Sequence, residues 1–171
     1  MPLGNTVRLD FYSSFEMLDF VQVVSDQISR MVGLDDDARH WVGVAVRESV
    51  INAIKHGNAH DERKQVHVEF TPLEATPPGV ERPETSAAGV AIRVRDEGPG
   101  FDPEEVPDPL APENLLKASG RGIFLIRSFM DEMDLRRAPE GGMEIVMVKR
   151  VSSGKDTTSA PSGPGLPRHS C

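Results

Sequence analysis

The chain has 171 residues, 38% of them apolar and 27% charged, with a formal net charge of −8. That length suits one domain, and the negative balance excludes a mainly electrostatic grip on nucleic acid or anionic lipid. Its single cysteine, Cys171, excludes an intrachain disulfide and a thiolate metal cluster, and with no apolar run near the ~20 residues that span a bilayer and no basic-then-apolar export signal in MPLGNTVRLD, the expectation is a soluble cytoplasmic protein.

Residues 6–12, TVRLDFY, alternate apolar and polar and predict an edge strand. Ser13 and Glu16 have capping-box spacing, and Leu18, Val21, Ile28 and Met31 mark the apolar face of a helix over 15–31 that ends at Gly33. Asp35, Asp36 and Asp37 suit a helix N-terminus, and a second helix runs from there to about His56, with Gly57 as its stop. The segment 71–89, rich in Pro, Thr, Ala and Glu, reads as a loop or insertion between strands at 65–71 and 90–95. A Gly- and Pro-rich connection over 97–120 leads to a helix over 121–133, and 134–138 with 144–151 predict a hairpin around Gly141-Gly142. Residues 152–171 hold almost no large apolar groups and predict a disordered tail. The order β-α-α-β-β-α-β-β gives an α+β two-layer sandwich, a mainly antiparallel sheet with helices on one face.

Three stretches carry candidate chemistry. In ESVINAIKHG, 48–57, Glu48 and Asn52 lie four apart on one helical face. That spacing is common on solvated faces, but a carboxylate and a carboxamide are also hard oxygen donors suited to Mg²⁺, and a carboxylate can take a proton from an attacking hydroxyl. His56 in the same stretch reads as structural, a cap at the helix end, and His40 as packing or surface. In RDEGPGF, 95–101, Asp96 at a strand end is followed by Gly98 and Gly100. This is either a plain turn or an acceptor for an exocyclic amine with glycines that admit a ligand. In SGRGIFLIRSFMDEM, 119–133, Gly120 and Gly122 flank Arg121 before an apolar run, so their N–H groups could meet an anion at a helix start. The spacing is not that of a P-loop.

Together and in this order, these stretches resemble the N-box and the two glycine boxes of the Bergerat-fold ATPases, over about 6–151. They are most similar to that superfamily's bacterial serine kinases of the anti-sigma-factor type (RsbW and its relatives). The resemblance implies an ATP-binding kinase domain over 1–151 with ATP and Mg²⁺ as cofactors. It implies Asn52 as the metal ligand, Glu48 as general base toward a substrate serine, and Asp96 as the acceptor for the adenine amino group. It places Gly98 and Gly100 at the lid and Gly120 and Gly122 at the phosphates, with a phosphate contact for Arg121. The partners implied are a small anti-sigma-factor antagonist as substrate, a sigma factor, and a second copy of the chain in a homodimer. The alternative is a non-catalytic ATP-binding module that works by partner switching. A histidine autokinase is disfavoured, because no dimerisation hairpin precedes the domain. A gyrase- or chaperone-like ATPase would need a transducer domain that this length does not hold.

Overall fold

A computed structural model of the chain describes residues 5–75, 88–100 and 118–152, with the backbone alone at 118–120. Most of the 71–89 insertion, much of the 97–120 connection and all but the start of the 152–171 tail lie outside the described residues. The elements follow the expected order: β1 Val7–Tyr12, a 3₁₀ turn Phe15–Met17, α1 Leu18–Met31, α2 Asp36–Asn52, a π-helical turn Ala53–Gly57, β2 Gln65–Leu73, β3 Gly89–Arg95, α3 Ala118–Phe129, β4 Glu132–Arg137 and β5 Met143–Arg150. The strands form one antiparallel sheet in the order β1-β2-β3-β5-β4.

Alternation along the strands sorts side chains onto two faces. On the helix-covered face, Val68, Val94 and Ile145 stand in one cross-strand row and Phe70, Ile92 and Met147 in the next. All six are buried, and they meet Val21 and Ile28 of α1, Val42, Val46 and Val50 of α2 and Ile126 of α3 in one core. The 3.6-residue period explains the helices' share: Leu18, Val21, Ser25 and Ile28 fall on one stripe of α1, and Val42, Val46 and Val50 on one stripe of α2. Each such valine adds about 1.5–3 kcal/mol through burial.

The opposite face carries charge in register. Asp10, His67, Arg95, Glu144 and Arg136 form one row across all five strands, and Arg8, Glu69, Arg93, Val146 and Asp134 the next. Opposite charges face each other at Arg8–Glu69, Glu69–Arg93, Arg95–Glu144 and Glu144–Arg136, which stabilises these cross-strand neighbours. Glu144 is only 1% exposed. Arg93 Nε and Arg136 Nε both donate to it, so its buried charge is paired twice.

Several boundaries differ from the sequence reading, each for a local reason. Ser14, not Ser13, caps the first turn, its Oγ accepting from Glu16 N at 3.3 Å. Ser13 is buried and donates to the Lys64 carbonyl at 2.9 Å. Strand β2 runs on through Pro72 to Leu73. Its register with β1 ends at Val7 and Phe70, so among the described residues Pro72 lies beyond the β1 ladder, where a proline is tolerated. Helix α3 spans Ala118–Phe129, starting three residues and ending four residues earlier than the spacing predicts, and β4 starts at Glu132.

Candidate functional site

Helix α2 starts at a built cap: Asp35 Oδ1 accepts from Ala38 N at 2.8 Å, and Asp36 and Asp37 follow in the first turn. At its other end the coil widens. Asn58 N donates to Ala53 O at 2.7 Å, five residues back, the signature of the π turn over 53–57. Such single wide turns insert one residue into a helix and re-aim the side chains beyond it. Ala59 and His60 then take positive φ values of 50° and 59° as the chain reverses toward β2.

Two polar clusters sit along this one element. At the first, Glu48 and Asn52, both half-buried, face α3. A Cβ on Gly122 would stand 3.0 Å from Glu48 Oε2 and 3.2 Å from Asn52 Nδ2. The second-box glycine thus lies directly against the N-box pair, where a Cβ would press on the ends of both side chains. Gly120 and Gly122 are inside α3 rather than ahead of it. Gly120 lies near the start of this helix as described, and the N–H of Gly122 falls within the helical ladder. Arg121 is exposed.

The second cluster surrounds Asp96, which is 5% exposed. Its Oδ1 accepts from Gly98 N at 2.8 Å and from Met143 N at 3.1 Å, and its own N–H donates to Met143 O at 3.0 Å. Oδ2 is left over Gly57, where any Cβ would overlap it. Gly98 lies against the Gly57 carbonyl and Gly142 against the Asp96 carbonyl, each so closely that a Cβ would collide with backbone. Gly142 and Gly141, at φ +81° and +101°, turn the β4–β5 hairpin, so Gly142 serves both a left-handed turn and a close approach. Gly100, at φ +68°, sits beside Arg137, whose Nη1 donates to Pro99 O at 3.4 Å.

Behind Asp96 lies a second tier. Asn58 is 0% exposed and accepts from Glu97 N at 2.8 Å. The Glu97 carboxylate accepts from Gln65 N at 2.9 Å and meets His67 Nε2 at 2.9 Å, while His67 Nδ1 meets Asp10 Oδ1 at 2.5 Å. The Gln65 N–H and then His67 hold the Glu97 carboxyl below its ordinary range.

Of the sequence-predicted site residues, Glu48, Asn52 and Gly122 fall into the first cluster and Asp96 and Gly98 into the second, while Gly100, Gly120 and Arg121 are in neither. Sequence reasoning missed Gly57, read only as a helix stop, and Asn58 and Gly142. The signal for Gly57 was present in its place directly after KH within the same stretch; Asn58 and Gly142 show no pattern apart from ordinary turn chemistry. An open groove of about 480 Å³ lined by Phe15, Leu18, Asp19, Arg47, Ile51, Lys55 and His60 runs along a neighbouring stripe of α2 and includes none of the motif residues.

An adenine nucleotide fits the second cluster: Asp96 keeps one oxygen unclaimed among the described residues, over a cradle that a Cβ would fill. Mg²⁺ fits the first by the chemistry of its donors. Among the described residues no three His, Cys, Asp or Glu side chains gather as a metal cage, and the Asn52 carboxamide oxygen is a hard donor of the kind Mg²⁺ accepts when its other ligands are waters or phosphates. No helix among the described residues is long and apolar enough to cross a membrane.

Comparison with known proteins bears on the family and the fold. Residues 16–149 match the sequence profile of the histidine kinase-like ATPase domain. The anti-sigma F factor of Oceanobacillus iheyensis is 30% identical over 157 residues, 90% of this chain and 97% of that protein. The anti-sigma F factor of Bacillus subtilis is 28% identical over the same shares of both. Among solved structures, that of the RsbU and RsbW domains of Rv1364c from Mycobacterium tuberculosis superimposes with a TM-score of 0.58 at 15% identity, covering 91% of this chain and 35% of that one. At that identity the likeness speaks for the fold alone.

Proposed function

Because this chain belongs to the histidine kinase-like ATPase domain family, within its RsbW-like anti-sigma factor group, we propose that it is an ATP-dependent protein serine kinase. Its substrate would be a small antagonist protein, and it would also hold a sigma factor. The observation that carries the reading is the pairing of two clusters on one helical element: Glu48 and Asn52 against Gly122, and Asp96 over Gly57.

Bound ATP with Mg²⁺ supplies the transferable phosphoryl group and the positive charge that offsets the phosphates. The chain's own residues do the rest. Asp96 Oδ2 accepts a hydrogen bond from the adenine amino group. It is prevented from turning away because Oδ1 is already held by two backbone N–H groups. Asn52 offers its carboxamide oxygen to the metal. Glu48, one turn earlier on the same face, accepts the proton of the serine hydroxyl as that oxygen becomes a nucleophile. The N–H groups near the start of α3, including that of Gly120, suit phosphate oxygens. In such a reaction most of the acceleration comes from position and charge, which favours a site built on rigid elements.

The test combines the protein, Mg-ATP and a candidate antagonist and follows phosphoserine by mass spectrometry. Glu48→Ala is expected to lower the transfer rate by roughly 10²–10⁴-fold, the usual share of a general base, with nucleotide affinity nearly unchanged. Equal rates for the two proteins would remove Glu48 from the chemistry. Partner binding that depends on nucleotide, with no phosphate transferred by either, would instead make the chain a non-catalytic partner-switching module.

A further inference from the structure

We infer that Asn58 is a positioning residue for nucleotide recognition: its side-chain carboxamide sets the orientation of the Asp96 carboxylate through the peptide that joins Asp96 to Glu97. The inference rests on the reading of Asp96 as the acceptor for the adenine amino group.

Asn58 follows Gly57 directly and is 0% exposed. Its carboxamide is fully engaged. Oδ1 accepts from Glu97 N at 2.8 Å, while Nδ2 donates to Gln65 O at 2.9 Å and to Ser13 Oγ at 2.9 Å. Three separate segments, the β1–α1 turn, the start of β2 and the bend after β3, are thus tied to the exit of the π turn. The Asp96–Glu97 peptide is the one that matters for the site. Its N–H is held by Asn58, and its carbonyl lies against Gly142 with no room for a Cβ. With both ends of that peptide fixed, the Asp96 side chain leaves in one direction, and Oδ1 falls onto Gly98 N and Met143 N. Oδ2 alone is left for a ligand.

A buried amide is a costly way to close a turn, because each of its polar atoms must find a partner or lose more than the bond supplies. A purely structural cap at this position would need only its own backbone bonds, which Asn58 N already makes with Ala53 O at 2.7 Å. What the side chain adds is direction: it links the helix that bears Gly57 to the strand end that bears Asp96. Those two residues meet so closely that a small rotation of the peptide would drive the carboxylate into Gly57 or away from the ligand.

The readout is discrimination, since a merely structural residue lowers all affinities alike. Affinities for ATP and for purine riboside triphosphate, which lacks the 6-amino group, are measured by calorimetry. The wild type is expected to prefer ATP by roughly tenfold to a hundredfold, the share of a hydrogen bond to a charged acceptor. Asp96→Ala and Asn58→Ala should both bring that preference close to unity. Ser13→Ala, which removes an Nδ2 partner on the far side of the amide, should lower stability yet keep the preference.

If Asp96→Ala abolishes the preference while Asn58→Ala retains it, the positioning role is overturned and the adenine reading stands. If Asp96→Ala itself retains the preference, both fall. Should Asn58→Ala not fold, the wild type decides. ATP is expected to move the Glu97 backbone and Asn58 side-chain amide resonances in ¹⁵N spectra, and purine riboside triphosphate to leave them nearly in place. Identical spectra with the two nucleotides would overturn the proposal.

Discussion

Gly57 carries no side chain, and the site depends on that. A Cβ there would occupy the space of the Asp96 carboxylate, so Gly57→Ala forces Asp96 to turn off the backbone N–H groups that hold it. The expected result is a roughly tenfold to hundredfold loss of ATP affinity by calorimetry, the loss of one charge-assisted bond. Glu97 offers a separate check. Its carboxyl is held below its ordinary 4.5 by the Gln65 N–H and by His67. A lowered folded-state value means that the ionised form is the one the fold favours. The stabilisation is therefore present above pH 4.5 and is lost as the pH falls through the lowered folded value. In urea titrations, the stability advantage of the wild type over Glu97→Gln should shrink on acidification below pH 4.5, whereas an advantage that grew there would contradict the assignment. At this scale Glu48, Asn52 and Asp96 were singled out because their stretches together and in order resemble a family's motifs, each stretch alone reading equally well as an ordinary polar face or turn. Asn58 was not, since its function depends on partners 7, 39 and 45 residues away in sequence.

Among the elements, α2 is the one on which everything converges. It supplies Val42, Val46 and Val50 to the core and Glu48 and Asn52 to the site from adjacent stripes. Its start is secured by Asp35, so Asp35→Ala is expected to cost about 1 kcal/mol of stability by denaturant titration, the usual worth of an N-cap, while leaving nucleotide discrimination intact. A loss of discrimination in that variant would mean that the cap, 13 residues from Glu48, controls the site. Periodicity made the existence and type of each element readable. It did not reveal the π turn, because Ile51 and Ile54 suit a regular helix and the extra residue shows only in the Asn58 to Ala53 bond. Nor did it locate the start of α3: glycines at 120 and 122 read as a helix boundary, yet glycine is tolerated inside a helix when a neighbour must come close. The neighbours here are Glu48 and Asn52.

For the molecule as a whole, alternation in the strands gave the sandwich and its order correctly, and the charged outer face followed from the same alternation. The double pairing of Glu144 by Arg93 and Arg136 did not, since it requires the strand order β3-β5-β4 to bring the three together. Seen at this scale, the two helices that bound the candidate phosphate region are also in contact elsewhere. Trp41 of α2 lies flat on Phe129 of α3, with ring centroids 3.5 Å apart and planes 5° from parallel. Trp41 is the chain's only tryptophan, so the protein contains its own optical gauge for the gap between those helices. With Gly122 as near to Glu48 and Asn52 as it is, phosphates and a metal ion held there, as proposed, are expected to displace α3. Indole emission should therefore change on mixing with Mg-ATP in a stopped-flow instrument and do so less with adenosine alone. A silent signal at saturating nucleotide would mean that α3 keeps its place and that the ligand lies elsewhere.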